Sequence, residues 1–279
     1  MKHKYFDDLK GKVCLITGGG GVIGSYLALE LAHYDLEIAI LDYKKERCDS
    51  CADTLSREVG KEITCIVGNV LDRDWLEKSH KDIHQKLGKV DILINAAGGN
   101  APEATTGDDF ARLDDLSRSI FGIDITSFRS VFDLNLMGTL LPTLIFARDM
   151  AERGGVILNV SSMSALRPLT RVPAYSAAKS AVNNLTQWLA VHLSHLNIRV
   201  NAIAPGFLLT GQNRFLLLDE KSGELTTRGR QIIEHTPMGR FGEPADLLGS
   251  VLYLISDMSK FITGVVLPVD GGFSAYSGV

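Results

Sequence analysis

The sequence predicts one α/β domain in which a seven-stranded, doubly wound parallel sheet is covered by helices on both faces. The first observation is that short apolar, β-branched segments alternate with amphipathic segments of helical length along all 279 residues. The second is that the apolar segments are almost continuously apolar, which is typical of strands covered on both faces. Such alternation implies parallel strands joined by right-handed crossovers. Because no proline-rich linker or low-complexity stretch divides the chain, we expect a single domain over residues 1–279.

The order of these segments gives the order of the elements. Strands are expected at Lys12–Ile16, Glu37–Leu41, Ile63–Gly68, Asp91–Asn95, Gly155–Val160, Ile198–Ile203 and Val265–Val269. Helices are expected at Ile23–His33, Lys45–Val59, Asp74–Leu87, Phe128–Glu152, Ala174–Leu196 and Pro244–Ser256. Two stretches, 98–126 and 206–238, break the alternation, and each follows the carboxyl end of a strand. Since open α/β sheets bind ligands at that edge, we expect both stretches to enclose the substrate.

Composition narrows the classes of function. A formal net charge of −4 without a concentrated basic region argues against binding to nucleic acid or to an anionic membrane. The N-terminal MKHKYFDDLK lacks the apolar segment of a signal peptide. The longest uncharged runs, such as Leu134–Ala147, are shorter than the roughly twenty residues of a membrane span. We therefore expect a cytoplasmic protein with no nucleic-acid or membrane partner.

The cysteines and histidines do not predict a metal site. Cys48 and Cys51 form a lone C-x-x-C without a second ligand pair, and we interpret them as unpaired thiols on a helix face. His80 and His84 have the i, i+4 spacing of some zinc sites, but their charged neighbours favour a solvated helix face. The other two cysteines lie in apolar runs and are interpreted as small core residues: Cys14 and Cys65.

The first predicted strand runs into a glycine-rich turn, TGGGGVIG at residues 17–24, which opens a helix. Gly19, Gly21 and Gly24 satisfy G-x-G-x-x-G in the strand–turn–helix context that indicates dinucleotide binding. The helix N-terminus would offer free N–H groups and a positive dipole to a pyrophosphate. Asp42 ends the second strand, where a carboxylate accepts hydrogen bonds from ribose and repels a 2′-phosphate. This favours NAD over NADP, although the repulsion would be partly offset by the next lysines, Lys44 and Lys45.

A second motif points to proton transfer. Tyr175 and Lys179 form Y-x-x-x-K at the start of a long helix, and Ser162 follows the fifth strand. Residues i and i+4 share a helix face, so the ammonium can lie near the phenol. Because free tyrosine titrates near 10, proton exchange at neutral pH requires a depressed pKa, which corresponds to about 4 kcal/mol. The lysine and an oxidised nicotinamide are the expected sources of that depression.

Over essentially its full length the sequence resembles the short-chain dehydrogenase/reductase family. The matching motifs are TGGGGVIG, NAAG at 95–98, Asn135 in DLNLMG, Ser162 in NVSS, YSAAK at 175–179 and PGFLLT at 205–210. The resemblance implies a Rossmann-type NAD(P)-binding domain with Tyr175 as the acid/base. It also implies that Lys179 binds the nicotinamide ribose and lowers the tyrosine pKa. Ser162 would hold the substrate oxygen, and Asn135 would support a water-linked proton relay.

The same resemblance implies the cofactor contacts. Asn95 would lie beside the adenosine and Thr210 near the carboxamide. The sequence departs from the family pattern at Val22, where glycine is usual, and at Asn69, where aspartate is frequent. The full predicted set is Gly18, Gly19, Gly21, Val22, Ile23, Gly24, Asp42, Asn69, Val70, Asn95, Ala96, Ala97, Gly98, Tyr175, Lys179, Pro205, Gly206 and Thr210.

Several longer segments, among them GGNAPEATT, SSMSALRPLTRVPAYSAAKSAVNNL and HTPMGRFGEP, look like the D-mannonate oxidoreductase (fructuronate reductase) group of that family. Its members interconvert a keto-hexuronate and an aldonate. A guanidinium binds a sugar carboxylate in a bidentate manner, and amides can bind hydroxyls. The predicted substrate contacts are Ser162, Arg167, Arg171, Arg214, Asn100, Gln212 and Asn213. The alternative is that these arginines brace loops or subunit contacts.

Two other functions are open at this stage. One is a dehydrogenase of the gluconate 5-dehydrogenase kind or for another polyol or sugar acid. The other is a protein that senses NAD(H) without turnover, against which the intact Ser162, Tyr175 and Lys179 set argues. Family members are commonly tetramers, so the resemblance implies a homotetramer built through the predicted long helices, Phe128–Glu152 and Ala174–Leu196.

Overall fold

A computed structural model describes residues 6–211, 213–219 and 222–278. One sheet of seven parallel strands has the order β3-β2-β1-β4-β5-β6-β7. The strands are β1 Val13–Thr17, β2 Glu37–Asp42, β3 Thr64–Val67, β4 Ile92–Asn95, β5 Gly155–Val160, β6 Ile198–Pro205 and β7 Val266–Val269. The predicted doubly wound parallel sheet is confirmed, and the strand order reverses between β1 and β4. Open sheets of this kind bind ligands at the carboxyl edge beside such a reversal.

The helices are α1 Val22–His33, α2 Lys45–Val59, α3 Arg73–Leu87, α4 Ile125–Phe146, α5 Pro173–His192, α6 Arg214–Leu217, α7 Thr227–Glu234 and α8 Ala245–Ile255. The long helix predicted from Phe128 begins three residues earlier because the Asp124 carboxylate caps it, accepting a 2.7 Å hydrogen bond from the Ser127 N–H. It ends at Phe146 and continues as a 3-10 turn, Ala147–Met150.

Two apolar layers cover the sheet, and alternate residues of each central strand enter different layers. In β1, Cys14 and Ile16 join the layer that contains Leu27 of α1. Leu15 joins the opposite layer with Phe146 of α4. Each fully buried side chain of this size contributes about 1.5–3 kcal/mol through burial. The strands are continuously apolar because both faces of the sheet are covered.

The two long stretches lie at the carboxyl edge of the sheet, after β4 and after β6. The first contains three short 3-10 turns, at Pro102–Ala104, Leu116–Arg118 and Ile120–Gly122. The second contains α6 and α7. Both therefore border the edge at which ligands bind in open parallel sheets.

Two interpretations of the cysteines and histidines are wrong. Cys48 and Cys65 form a disulfide between α2 and β3, with 5.8 Å between their Cα atoms, because Cys48 lies on the buried face of α2. The Cys51 thiol, one turn later, is free. His80 does not lie on a solvated face, since its Nε2 is 2.8 Å from the Asp149 carboxylate; His84 is exposed.

One helical run also differs from expectation. By length and composition alone, Ile125–Met150 would qualify as a membrane span. In the structure this run packs against α3, α5 and β4, as a core helix of an α/β domain does.

Candidate active site

The glycine turn between β1 and α1 is required by the close packing around it. Gly18 has a φ of +65°, and a Cβ added to it would lie 2.8 Å from the Ala97 Cα. A Cβ at Gly19 would lie 2.5 Å from the Ile40 Cβ, and one at Gly24 would collide with the Gly18 carbonyl oxygen. The turn therefore places the N-terminus of α1 directly beside the carboxyl ends of β1 and β4.

The first turn of α1 fits a pyrophosphate. Its N-cap is Gly21, which has no side chain to satisfy the first N–H groups of the helix. Those groups and the helix dipole favour an anion at this position. Val22 is the first helical residue and is not among the described residues with a positive φ, so a β-branched side chain replaces the family's usual glycine without backbone strain.

Asp42 lies beside this turn and has a fully buried carboxylate. It accepts hydrogen bonds from the Gly20 N–H at 3.1 Å and the Lys44 N–H at 3.1 Å. The Arg47 guanidinium contacts both carboxylate oxygens at 2.8 Å. Arg47 was not predicted from the sequence as a partner of Asp42, although a basic residue in the first turn of the next helix could have indicated it. Lys45 does not offset the charge of Asp42, because its ammonium binds Asp49 at 2.6 Å.

The end of β4 is held against the turn by buried hydrogen bonds. The Thr17 Oγ1 accepts from the N–H groups of Ala96 and Ala97 at 3.2 Å each. The Asn95 side chain turns inward, where its Nδ2 donates to Thr143 Oγ1 at 3.0 Å and to Asn159 Oδ1 at 2.9 Å. The Asn95 Oδ1 is buried without a hydrogen-bond partner among the described residues, and the predicted place of Asn95 beside the adenosine stays a prediction.

The remaining predicted cofactor residues lie along the same edge. Asn69 follows β3 and is exposed, whereas Val70 is buried against Gly138. Pro205 ends β6, and Gly206 follows it. Thr210 is half-buried in the loop before α6.

Four predicted catalytic residues come together at the carboxyl ends of β4 and β5. The Lys179 Nζ donates to the Val160 carbonyl at 2.7 Å and lies 5.6 Å from the centre of the Tyr175 ring. Ser162 follows β5 and forms a side-chain hydrogen bond with Tyr175. Asn135 and Lys179 both approach Gly98. A Cβ added to Gly98 would lie 2.6 Å from the Asn135 Oδ1 and 3.2 Å from the Lys179 Nζ, so these two side chains lie close to each other.

Asn135 is fixed by the segment after β4. Its Nδ2 donates to the carbonyls of Gly99 at 2.7 Å and Val131 at 2.8 Å, and its Oδ1 accepts from the Gly99 N–H at 3.2 Å. The residue is fully buried in α4. A side chain with this many partners has one orientation, which suits a positioning role near the reacting groups.

Burial controls the protonation of the two titrating groups. It raises the pKa of Tyr175, and the hydrogen bond with Ser162 opposes this only in part. Burial lowers the pKa of Lys179 to about 8. Within the chain itself, desolvation disfavours the phenolate more than the neighbouring groups favour it. The predicted depression of the tyrosine pKa also involves the oxidised nicotinamide and stays a prediction. A phenol that keeps its proton at neutral pH is suited to act as an acid.

The predicted substrate residues divide into two groups. Arg171 is half-buried, and its Nε donates to the Asp109 carboxylate at 2.7 Å. Arg167 is exposed, and its guanidinium donates to the Leu166 carbonyl at 3.4 Å. Arg214 is exposed at the start of α6. Of these three arginines, Arg171 is the one that links the first stretch, through Asp109, to the segment before α5.

The predicted amide contacts are engaged within the loops. The Asn100 Nδ2 donates to Thr105 Oγ1 at 3.1 Å. The Asn213 Oδ1 accepts from the Thr210 N–H at 2.9 Å, and its Nδ2 donates to the Leu208 carbonyl at 2.7 Å. Asn213 thus braces the loop that carries Thr210. Gln212 lies outside the described residues.

The comparisons with known proteins agree with this geometry. The family model described as enoyl-(acyl carrier protein) reductase matches residues 20–274. The chain belongs to the short-chain dehydrogenase/reductase family. It is therefore an oxidoreductase of a family that uses a nicotinamide cofactor.

Three relatives are similar along their whole length. An uncharacterised oxidoreductase of Haemophilus influenzae is 49% identical over 98% of this chain and 96% of its own. The uncharacterised oxidoreductase UxuB of Bacillus subtilis is 44% identical over 98% of both chains. A crystal structure from Haemophilus influenzae with bound NAD, provisionally called a D-mannonate oxidoreductase, has a TM-score of 0.93 and 48% identity over 98% of both chains.

Proposed function

We propose that this protein is an NAD-dependent reductase of keto sugar acids that interconverts D-fructuronate and D-mannonate. The observation that carries the proposal is the Arg171 guanidinium, fixed by Asp109 only four residues before Tyr175. A guanidinium four positions before the proton donor suits a substrate with a carbonyl at one end and a carboxylate at the other. The Haemophilus structure with 48% identity, which contains NAD and carries that provisional name, supports the same substrate class.

In the reductive direction, nicotinamide supplies a hydride to the carbonyl carbon when it is bound. The Tyr175 phenol, protonated at neutral pH, donates its proton to the developing alkoxide. The Ser162 hydroxyl binds the same oxygen and keeps it within reach of the phenol. The Lys179 ammonium, anchored on the Val160 carbonyl, orients the ribose and stabilises negative charge at the phenol oxygen. The net change converts one ketone, one NADH and one proton to one secondary alcohol and one NAD+.

We also propose that NAD is preferred over NADP. The fully buried Asp42 carboxylate lies at the end of β2, where a 2′-phosphate would meet its negative charge. Arg47 is held on both oxygens of Asp42 at 2.8 Å, so its guanidinium is not free to bind a 2′-phosphate. The pair therefore favours the cofactor that carries no phosphate on the ribose.

A turnover panel tests the proposed function. NADH oxidation would be measured with D-fructuronate, D-tagaturonate and 5-keto-D-gluconate, and with the neutral ketoses D-fructose and D-tagatose as controls. The proposal predicts the highest kcat/KM for D-fructuronate. A preference for 5-keto-D-gluconate would favour the gluconate 5-dehydrogenase alternative. NADH binding without oxidation by any of these compounds would favour the sensor.

We further propose a cytoplasmic homotetramer assembled through α4 and α5. Large apolar side chains on these helices are exposed in the single chain, with Trp188 57% and Val191 77% exposed. Leu144 of α4 is 47% exposed. Light scattering coupled to gel filtration measures the mass. A mass of four chains supports the proposal, and a single-chain mass contradicts it.

A further inference from the structure

The two long stretches meet at one charged cluster just before α5. The Thr106 N–H donates to the Arg171 carbonyl at 3.0 Å, which joins the first stretch to the segment that leads into α5. The Asp109 carboxylate accepts hydrogen bonds from Arg171 Nε at 2.7 Å and from Thr170 Oγ1 at 2.9 Å. Arg228, in the first turn of α7, interacts electrostatically with Asp109 and Arg171. Asp108, which also interacts electrostatically with Arg171, is paired with Arg118 at 2.9 Å. Three separate segments thus converge on the guanidiniums of Arg171 and Arg228 around the Asp109 carboxylate.

The charges of this cluster do not balance. The negative charge of Asp108 is matched by its ion pair with Arg118. Arg171 and Arg228 then remain charged at any physiological pH, whereas Asp109 supplies one negative charge, which Arg171 keeps ionised by lowering the pKa of Asp109. Within the part of the chain that the structure describes, the Arg228 guanidinium forms no ion pair within 4.0 Å. Arg228 is half-buried, and both its burial and the like charge of Arg171 lower its pKa. The cluster is therefore complementary to an anion.

The arrangement also fixes which nitrogens face a ligand. Because Asp109 binds Arg171 through Nε, the two Nη atoms at the end of the guanidinium remain available for a bidentate contact with a carboxylate. Thr170 holds Asp109 from the other side. A planar, oriented fork of this kind recognises the geometry of a carboxylate, which a lysine ammonium does not.

The cluster lies close to the reacting groups. Arg171 lies four positions before Tyr175, so their Cα atoms are at most about 14 Å apart even in a fully extended chain. Tyr175 packs with Ala101, Ala104 and Phe128, which belong to or border the stretch that carries Asp109. A sugar acid bound with its carbonyl at Tyr175 can therefore extend its other end toward the two guanidiniums.

We infer that Arg171 and Arg228 together bind the substrate carboxylate, and that Asp109 and Thr170 position Arg171 for this contact. The inference rests on the proposed function and deepens it, since it names the residues that separate sugar acids from neutral polyols. Arg228 is a specificity-determining residue that the sequence did not indicate.

Substitution of Arg228 tests the inference. Arg228→Gln removes the charge and keeps the length of the side chain, and Arg230→Gln, at an exposed position of the same helix, is the matched control. For the keto sugar acid, Arg228→Gln is expected to raise KM at least tenfold with kcat nearly unchanged, because binding common to ground and transition states is lost. For the neutral ketose of the same chain length, kcat/KM stays within twofold of the wild type. Arg230→Gln and the Kd for NADH remain as in the wild type.

Two results would overturn the inference. If Arg228→Gln and Arg171→Gln both leave KM for the sugar acid within twofold, the carboxylate binds elsewhere. If the two substitutions raise KM equally for the acid and the neutral ketose, the arginines stabilise the loops and do not recognise the carboxylate. Failure of the proposed function is distinguishable, because the wild type itself would then oxidise no NADH with any keto sugar acid.

Discussion

Replacing Lys179 with methionine should make the protein inactive and change the pH dependence of its stability. Burial lowers the pKa of Lys179 from its usual 10.5 to about 8. Since one pKa unit is 1.36 kcal/mol, the buried ammonium costs about 3 kcal/mol at neutral pH. Lys179→Met removes this cost but leaves the Val160 carbonyl without its 2.7 Å donor, a loss of about 1–3 kcal/mol. The two effects nearly cancel at pH 7. The difference in unfolding free energy between Lys179→Met and the wild type at that single pH therefore does not test the explanation.

The pH dependence separates the two effects. Between pH 8 and 10.5 the unfolded chain binds more protons at Lys179 than the folded chain, so the wild type gains stability as pH rises. From pH 7 to 9.5 this gain is about 2 kcal/mol in the free energy of unfolding. Urea denaturation at both pH values should show this gain relative to Lys179→Met, both for the wild type and for the control Lys81→Met, which replaces an exposed lysine. A stability difference between Lys179→Met and wild type that is equal at both pH values would refute the reasoning.

Three further results follow from the same geometry. Gly24→Ala should raise the Kd for NADH at least tenfold in a fluorescence titration, because its Cβ would collide with the Gly18 carbonyl; Gly249→Ala, with nothing within 4 Å, is the control and should bind normally. Asp42→Ala should shift the ratio of kcat/KM for NADPH to that for NADH at least tenfold toward NADPH, since Arg47 is released from its ion pair; an unchanged ratio would contradict this. The kcat for reduction should stay constant from pH 6 to 7.5 and fall above about 8, as Lys179 loses its proton; a fall centred below pH 7 would disagree.

The sheet and the catalytic set were predictable because each depends on local patterns. The continuous apolar runs determine which segments are strands, and the i, i+4 spacing brings Lys179 to the Tyr175 ring. Side-chain direction at a buried position was not predictable. Asn95 occupies the expected position in the chain, yet its amide turns inward to Asn159 because a core partner lies there.

Contacts between segments that are distant in the sequence could not be predicted either. Cys48 pairs with Cys65 across α2 and β3, although the C-x-x-C spacing drew attention to Cys51. No sequence motif around Arg228 predicts a binding role. Its electrostatic interaction with Arg171 depends on how the stretch after β6 folds. The tyrosine pKa likewise depends on burial, which the motif alone does not specify.

Tyr175→Phe tests most directly the central claim that this site reduces a ketone with Tyr175 as the proton donor. The substitution removes one oxygen from a partly buried ring and leaves the glycine turn and Asp42 unchanged. Single-turnover oxidation of NADH by D-fructuronate should slow by about 10²–10⁴-fold, while the Kd for NADH, measured by fluorescence, stays within twofold of the wild type. A rate within tenfold of the wild type, with NADH binding intact, would contradict the claim.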